Sequence, residues 1–82
     1  MDRQELKGRA HDLDVTVWVG KSGLEAVVDE LDSQLQNTDL VKVKFLRAAR
    51  AGNATEEKAA DLADRVNAEL IDSRGHTAVF YR

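Results

Sequence analysis

Val15-Thr16-Val17-Trp18-Val19-Gly20-Lys21-Ser22-Gly23-Leu24 is the stretch that decides how this chain folds. Val15, Val17 and Val19 alternate with Thr16 and Trp18, the period-two pattern of a strand with one face toward a core. The strand stops at a G-x-x-G, and at Leu24 the period changes. Leu24, Val27, Val28, Leu31 and Leu35 fall at i, i+3, i+4, i+7 and i+11, the stripe of an amphipathic helix. Glycines on both sides of Lys21-Ser22 let the backbone turn without a Cβ, and the first N–H groups of the following helix point outward beside a lysine. Such a corner is a seat for a phosphate group.

Gly20-Lys21-Ser22 also imitates the end of a nucleotide-binding P-loop. That motif needs another glycine five residues before Gly20, where this chain has Val15, and 82 residues leave little room for the rest of a nucleoside-triphosphate site.

Upstream, Asp2 and Glu5 read as a capping box, and Leu6, Ala10 and Leu13 follow at helical spacing, which predicts a short first helix. Arg3, Lys7 and His11 share another face of it, a like-charge stripe that costs a few tenths of a kcal/mol per pair unless an anion lies against it. Downstream, Asn37-Thr38 closes the second helix, and 40–46 alternates Val41, Val43 and Phe45 against Lys42 and Lys44, a second strand with a basic face. A loop carrying Arg47 and Arg50 leads to Asn53 and Glu56, a second capping box. Ala59, Ala63, Val66 and Leu70 then form a stripe that predicts a third helix to about residue 69. Segments 70–73 and 76–81 around Arg74-Gly75 read as a hairpin. The element order is αβαβαββ. Two β–α–β connections imply parallel or mixed pairing, and the hairpin adds an antiparallel pair. The expectation is a single two-layer α/β domain over 1–82 with a four-stranded mixed sheet.

A domain of this size buries only about 60–65% of its unfolded surface. No apolar run is long enough to span a membrane. The N-terminus lacks the apolar segment of a signal peptide, so a cytoplasmic protein is expected. A monomer is expected as well. There is no cysteine, and His11 and His76 have no metal-ligand spacing, so neither disulfide, metal nor cofactor is expected. No nucleophile, base and orienting group recur at catalytic spacing, so no enzyme activity is expected either. The net charge of −3 argues against a simple basic nucleic-acid binder, but the charges are segregated. Residues 25–39 carry Glu25, Asp29, Glu30, Asp32 and Asp39 with no base, whereas 40–50 carry Lys42, Lys44, Arg47 and Arg50 with no acid. Nine Asp against six Glu, and seven Arg against five Lys, is the bias of a salt-adapted, halophilic host.

Four blocks in order, 6–11 (Leu-Lys-Gly-Arg-Ala-His), 20–24 (Gly-Lys-Ser-Gly-Leu), 40–44 (Leu-Val-Lys-Val-Lys) and 79–82 (Val-Phe-Tyr-Arg), resemble the CRM domain, specifically the small YhbY-like RNA-binding proteins. The resemblance implies a domain similar to the C-terminal domain of translation initiation factor 3 that binds structured RNA, with ribosomal RNA of the precursor large subunit as the implied partner. Its glycine loop is implied to meet RNA as the loop of KH domains does. Carried over by motif, that loop is Gly20, Lys21, Ser22 and Gly23. Lys7, Arg9, Lys42, Lys44, Arg47 and Arg50 are expected to add positive field, with Trp18 or Tyr81 as platforms for a base. Members commonly carry proline and lysine after the histidine block, where this chain has Asp12-Leu13-Asp14, a change that removes positive charge. The alternative is an interaction module that docks a basic ribosomal protein or assembly factor through the acidic second and third helices.

Overall fold

The computed structural model describes residues 3–47 and 55–82. Its elements follow the expected order: α1 (Arg3–Asp12), β1 (Val15–Val19), α2 (Glu25–Asn37), β2 (Leu40–Phe45), α3 (Thr55–Arg65), β3 (Glu69–Arg74) and β4 (Thr77–Tyr81). The four strands form one mixed sheet in the order β1-β2-β4-β3. β1 and β2 are parallel, joined by the α2 crossover, and β4 is antiparallel to both of its neighbours. β4 therefore wedges between β2 and β3, and the connection through α3 skips one position in the sheet.

Alternation along the strands gives the sheet two different faces. Val17, Val19, Val41, Val43, Phe45, Ala78 and Phe80 pack with Leu31 and Leu35 of α2 and Ala59, Leu62 and Ala63 of α3. This is the two-layer core expected from the sequence. The other face carries a partial third layer: Leu6 and Ala10 of α1 cover Leu40, Ile71 and Val79, with Leu13 and Tyr81 at the edge. Both clusters are wholly apolar, and among the described residues no polar or charged side chain is buried. Burying each such Leu, Val or Phe contributes about 1.5–3 kcal/mol, so these clusters, rather than surface charge, hold the domain.

The third helix stops at Arg65, short of residue 69, and Leu70 belongs to β3, packing against the main core from the sheet. Asn67 is the reason. It takes a left-handed backbone (φ +57°), Ala68 N–H donates to Ala63 O at 2.9 Å and Asn67 N–H to Asp64 O at 3.3 Å, the pair of bonds of a Schellman cap. The hairpin turns on Gly75 and His76, with positive φ at Gly75 alone (+53°), the pattern of a type II′ turn. Asp2 and Asn53, expected as helix caps, lie outside the described residues.

Asn67→Ala removes the short polar side chain that tolerates left-handed backbone and is expected to lower stability by about 1 kcal/mol, whereas Asn67→Gly, free of the Cβ penalty, is expected to lower it by much less. Urea denaturation of the two variants checks this, and equal stability of Asn67→Ala and the parent chain would remove the cap from the explanation.

Candidate nucleic-acid interface

The glycine loop sits where the parallel pair ends. Val19 lies opposite Phe45, and Leu46 N–H continues the ladder by donating to Val19 O at 2.8 Å. The chain then turns: Gly23 N–H donates to Gly20 O at 3.0 Å, and Gly23 takes φ +82°. A side chain at position 23 would be strained, so the fold itself requires this glycine. Gly20 is different. Its φ is not positive, and a Cβ there would meet only the Leu46 Cδ1 at 3.7 Å, an ordinary contact. The fold does not demand Gly20; what its missing side chain provides is open access to the backbone. Lys21 and Ser22 between them are exposed. Leu24 leads into α2 with no side-chain cap; Val27 N–H donates to Leu24 O at 3.0 Å, and the Glu25 and Ala26 N–H groups lie at this corner with the positive end of the helix dipole.

Because β1 and β2 are parallel, Leu46 and Arg47 leave the sheet at the same end as Gly20. The β3–β4 turn arrives there too, since Lys44 pairs with Thr77 and Phe45 N–H donates to His76 O at 2.7 Å. The corner thus gathers Lys21, Leu46, Arg47 and the 74–77 turn. Trp18 and Lys44 are cross-strand partners on the sheet face that carries α1, but α1 does not cover them, and Trp18 is 53% exposed. Lys42 lies half-buried on the same face, one pleat nearer α1. Together with Ala10, His11, Asp72, Arg74, Thr77 and Val79 it lines a shallow concavity of about 30 Å³. Lys21, Lys42 and Lys44 make no ion pair with any described residue.

Arg9, Arg65, Arg74 and Arg82 are held by acids. Arg9 grips Asp39 with two bonds of 2.8 and 2.9 Å, just ahead of β2. Arg65 meets Asp61 at 3.2 Å and Glu25 at 3.7 Å. Arg74 lies 3.6 Å from Asp72. Arg82 spans Asp32 of α2 at 2.5 Å and the Val66 carbonyl at 2.9 Å, pinning the last strand to the end of α3. Hydrogen bonds from Arg9 hold the Asp39 carboxyl below the ordinary carboxylate range, and those from Arg82 and Gln36 do the same for Asp32. The other acids of α2 and α3, among them Asp29, Glu30, Glu56, Glu57 and Asp64, are exposed on the helical layer. One side of the molecule is therefore acidic and the other carries free lysines.

Of the ten residues expected at the site, Gly20, Lys21, Ser22, Gly23, Lys44 and Arg47 come together at this corner, and Lys42 adjoins them on the sheet. Lys7 is exposed on α1, one turn before His11. Arg9 stands apart, fastened to Asp39 about 20 Å away at the other end of β2. Arg50 lies outside the described residues. Lys21 stands away from α1: α1 ends at the start of β1, the loop lies at the end of β1, and the neighbour of Lys21 is the end of β2. Tyr81 packs beside the α1 cluster, whereas Trp18 stands open. Arg74, His76 and Thr77 were not among the residues expected at the site. They reach the corner through the insertion of β4 beside β2, which no local pattern records.

The pattern of the CRS1 / YhbY (CRM) domain matches residues 1–82. The chain belongs to this family. The CRM chain is 39% identical over 80 residues to the probable RNA-binding protein of Methanocaldococcus jannaschii, a match that covers 98% of it and 60% of that relative. It is 35% identical over 81 residues to an RNA-binding protein of Haemophilus influenzae, covering 98% of this chain and 80% of that one. Its fold matches the solution structure of a hypothetical Staphylococcus aureus protein thought to bind RNA, with a TM-score of 0.80, 30% identity, and coverage of 98% of this CRM chain and 82% of the other. Among the described residues no helix is long and apolar enough to cross a membrane.

The ion pairs give a pH signature. Asp32 and Asp39 have folded pKa values below their unfolded ones, so their contribution to stability is fully present above the unfolded carboxylate value of about 3.9 and is lost as pH falls through the lowered folded values. The melting temperature is expected to fall as the solution is acidified below about pH 4. The double variant Asp32→Asn with Asp39→Asn should start lower at neutral pH and show a shallower acid limb. An acid limb of unchanged steepness would contradict the assignment.

Proposed function

We propose that this CRM protein binds structured RNA, with a phosphodiester held by the Gly20–Gly23 backbone and Lys21. The observation that carries this reading is Gly20, a glycine the fold does not require, beside a lysine without an ion-pair partner and an uncapped helix start. A missing side chain lets a phosphate approach the backbone closely, and the outward N–H groups and helix dipole favour negative charge there. Lys42, Lys44 and Arg47 extend the positive surface from the loop over the sheet, Lys7 and Arg50 add field, and Arg9, held by Asp39, adds little. The acidic layer of α2 and α3 repels a polyanion, so the charge distribution orients the protein as well as attracting it. The names of the archaeal and bacterial relatives support RNA as the partner.

The finer reading is ribosomal RNA of the large subunit during its assembly or maturation in the cytoplasm, bound by a monomer. A domain that combines a single phosphate clamp with a modest lysine patch suits a folded RNA that presents its backbone in a fixed shape. Each phosphate contact contributes about 0.7–0.9 to the slope of log affinity against log salt, so binding in a salty cytoplasm rests on shape, hydrogen bonds and stacking more than on charge.

Lys21→Asp with Ser22→Asp is expected to weaken binding to a structured ribosomal RNA fragment about 10- to 100-fold without unfolding the domain, as measured by fluorescence anisotropy with circular dichroism as the control. Glu25→Gln with Asp29→Asn should leave affinity intact. If the helix variants abolish ribosome association while the loop variants do nothing, the chain docks a protein instead. Crosslinking and RNA sequencing from cells at native salt should enrich large-subunit RNA; enrichment no greater than that of a matched acidic protein would defeat the ribosomal reading.

Gly20→Ala separates fold from binding. Its melting temperature should stay close to that of the parent while RNA affinity drops, because the added methyl makes only an ordinary contact with Leu46 and otherwise stands in the proposed path of the phosphate. Unchanged affinity in that variant would place the phosphate elsewhere.

A further inference from the structure

Strand register sets one straight row of side chains across the sheet. Trp18 of β1 pairs with Lys44 of β2, Lys44 with Thr77 of β4, and Thr77 with Arg74 of β3. At the usual strand spacing of about 4.8 Å the row spans about 14 Å. Its members share the α1 face, because their chain neighbours Val17, Val19, Val43, Phe45 and Ala78 point into the α2–α3 core. α1 covers the far end of that face, over Leu40, Ile71 and Val79, and leaves this row open. An indole 53% exposed therefore stands at one end, with a lysine free of ion pairs beside it, Lys42 one pleat away, and the His11–Arg74 concavity at the other end.

Charge complementarity selects the occupant. A second copy docked face to face across a twofold axis would set Lys42, Lys44 and Arg74 against their own equivalents, an arrangement that like charge opposes. The one acid in the concavity, Asp72, is already within 3.6 Å of Arg74. A polyanion meets no such opposition, and the polyanion that also offers a flat apolar surface to an indole is a nucleic acid with an unstacked base. Paired RNA hides its base faces, so a duplex leaves the indole without a partner. Trp18 precedes Gly20 by two residues, about 7 Å along the strand, within reach of a nucleotide adjoining one whose phosphate lies at the glycine loop.

We propose that this row is a second subsite on the same RNA, taking an unpaired nucleotide next to the clamped phosphate: its base stacks on Trp18, and its flanking phosphates meet Lys44 and Lys42. The proposal rests on the RNA reading above and adds a substrate class to it, a helix interrupted by a bulge or a single-stranded flank. Discrimination comes from stacking on Trp18, while Lys21 and the loop backbone supply binding common to paired and unpaired RNA.

Trp18 is the single tryptophan of the chain, so its fluorescence reports on this subsite alone. The probes are a blunt RNA duplex and the same duplex carrying a short adenine bulge. The bulged RNA is expected to quench Trp18 and to bind about tenfold more tightly than the blunt one. Trp18→Ala should abolish that preference, and Trp18→Phe should restore most of it. Equal affinity for the two RNAs, or a preference that survives Trp18→Ala, overturns the subsite. If Lys21→Asp weakens both RNAs while Trp18→Ala changes neither, the subsite fails and the loop reading stands. If neither RNA binds the parent chain nor any structured RNA does, both fail together.

Discussion

The parallel pairing of β1 with β2, with Val19 facing Phe45, is the constraint on which the rest depends. Two parallel neighbours end at the same edge of the sheet, so the chain leaving β1 must turn there and return over a helix before β2 can begin. Positive φ at Gly23 makes the turn, the Leu24–Leu35 stripe makes the return, and Val17, Val19, Val43 and Phe45 form the floor on which it packs. The same geometry brings the glycine loop beside Leu46 and Arg47. Antiparallel insertion of β4 then carries the Gly75 turn to that edge, so three connections meet around one lysine-bearing corner. The site follows from topology, and its residues come from distant parts of the sequence.

Charge is divided between two tasks. Arg9, Arg65 and Arg82 are tied to Asp39, Asp61 and Asp32, and their planar guanidinium groups suit such forked or bridging contacts. Solvent screens exposed pairs of this kind, so they set the position of the β2 entrance and of the chain's last residue more than they stabilise the domain. Lys21 in the loop and Lys42 and Lys44 on the α1 face of the sheet make no ion pair with any described residue. A net charge of −3 thus coexists with a locally positive surface, because eight of the fifteen acids lie on α2 and α3, on the opposite layer. At about 1 M salt the screening length shrinks to about 3 Å, so the proposed RNA contacts keep their electrostatic strength only where the groups touch.

Most of the fold was legible because it is written locally. Val15 to Val19 alternate with period two, Leu24 to Leu35 with the helical period, and both faces of β2 can be read from its lysines. What escaped is long-range or conformational. Nothing in 77–81 states that β4 pairs with β2 as well as with β3, and without that pairing Arg74 and Thr77 cannot be placed beside Lys44. The end of α3 was missed because Val66 and Leu70 continue a helical spacing by coincidence; Asn67, a residue that tolerates left-handed backbone, was the available signal. Arg9 looked like one more cation of the first helix, since Asp39 is 30 residues away and only the fold brings them into contact. Trp18 could be assigned to the second face of β1, but its exposure depends on where α1 stops.

The central claim is that RNA meets the glycine corner and the open sheet face while the acidic helical layer points away. Backbone and indole NMR shifts recorded during titration with a structured large-subunit RNA fragment test it most directly. Perturbations should concentrate at Gly20–Gly23, Trp18, Lys44 and Thr77 and leave the outer faces of α2 and α3 unmoved. Shifts centred on Asp29, Glu30 and Asp64, with the glycine loop silent, would contradict the account.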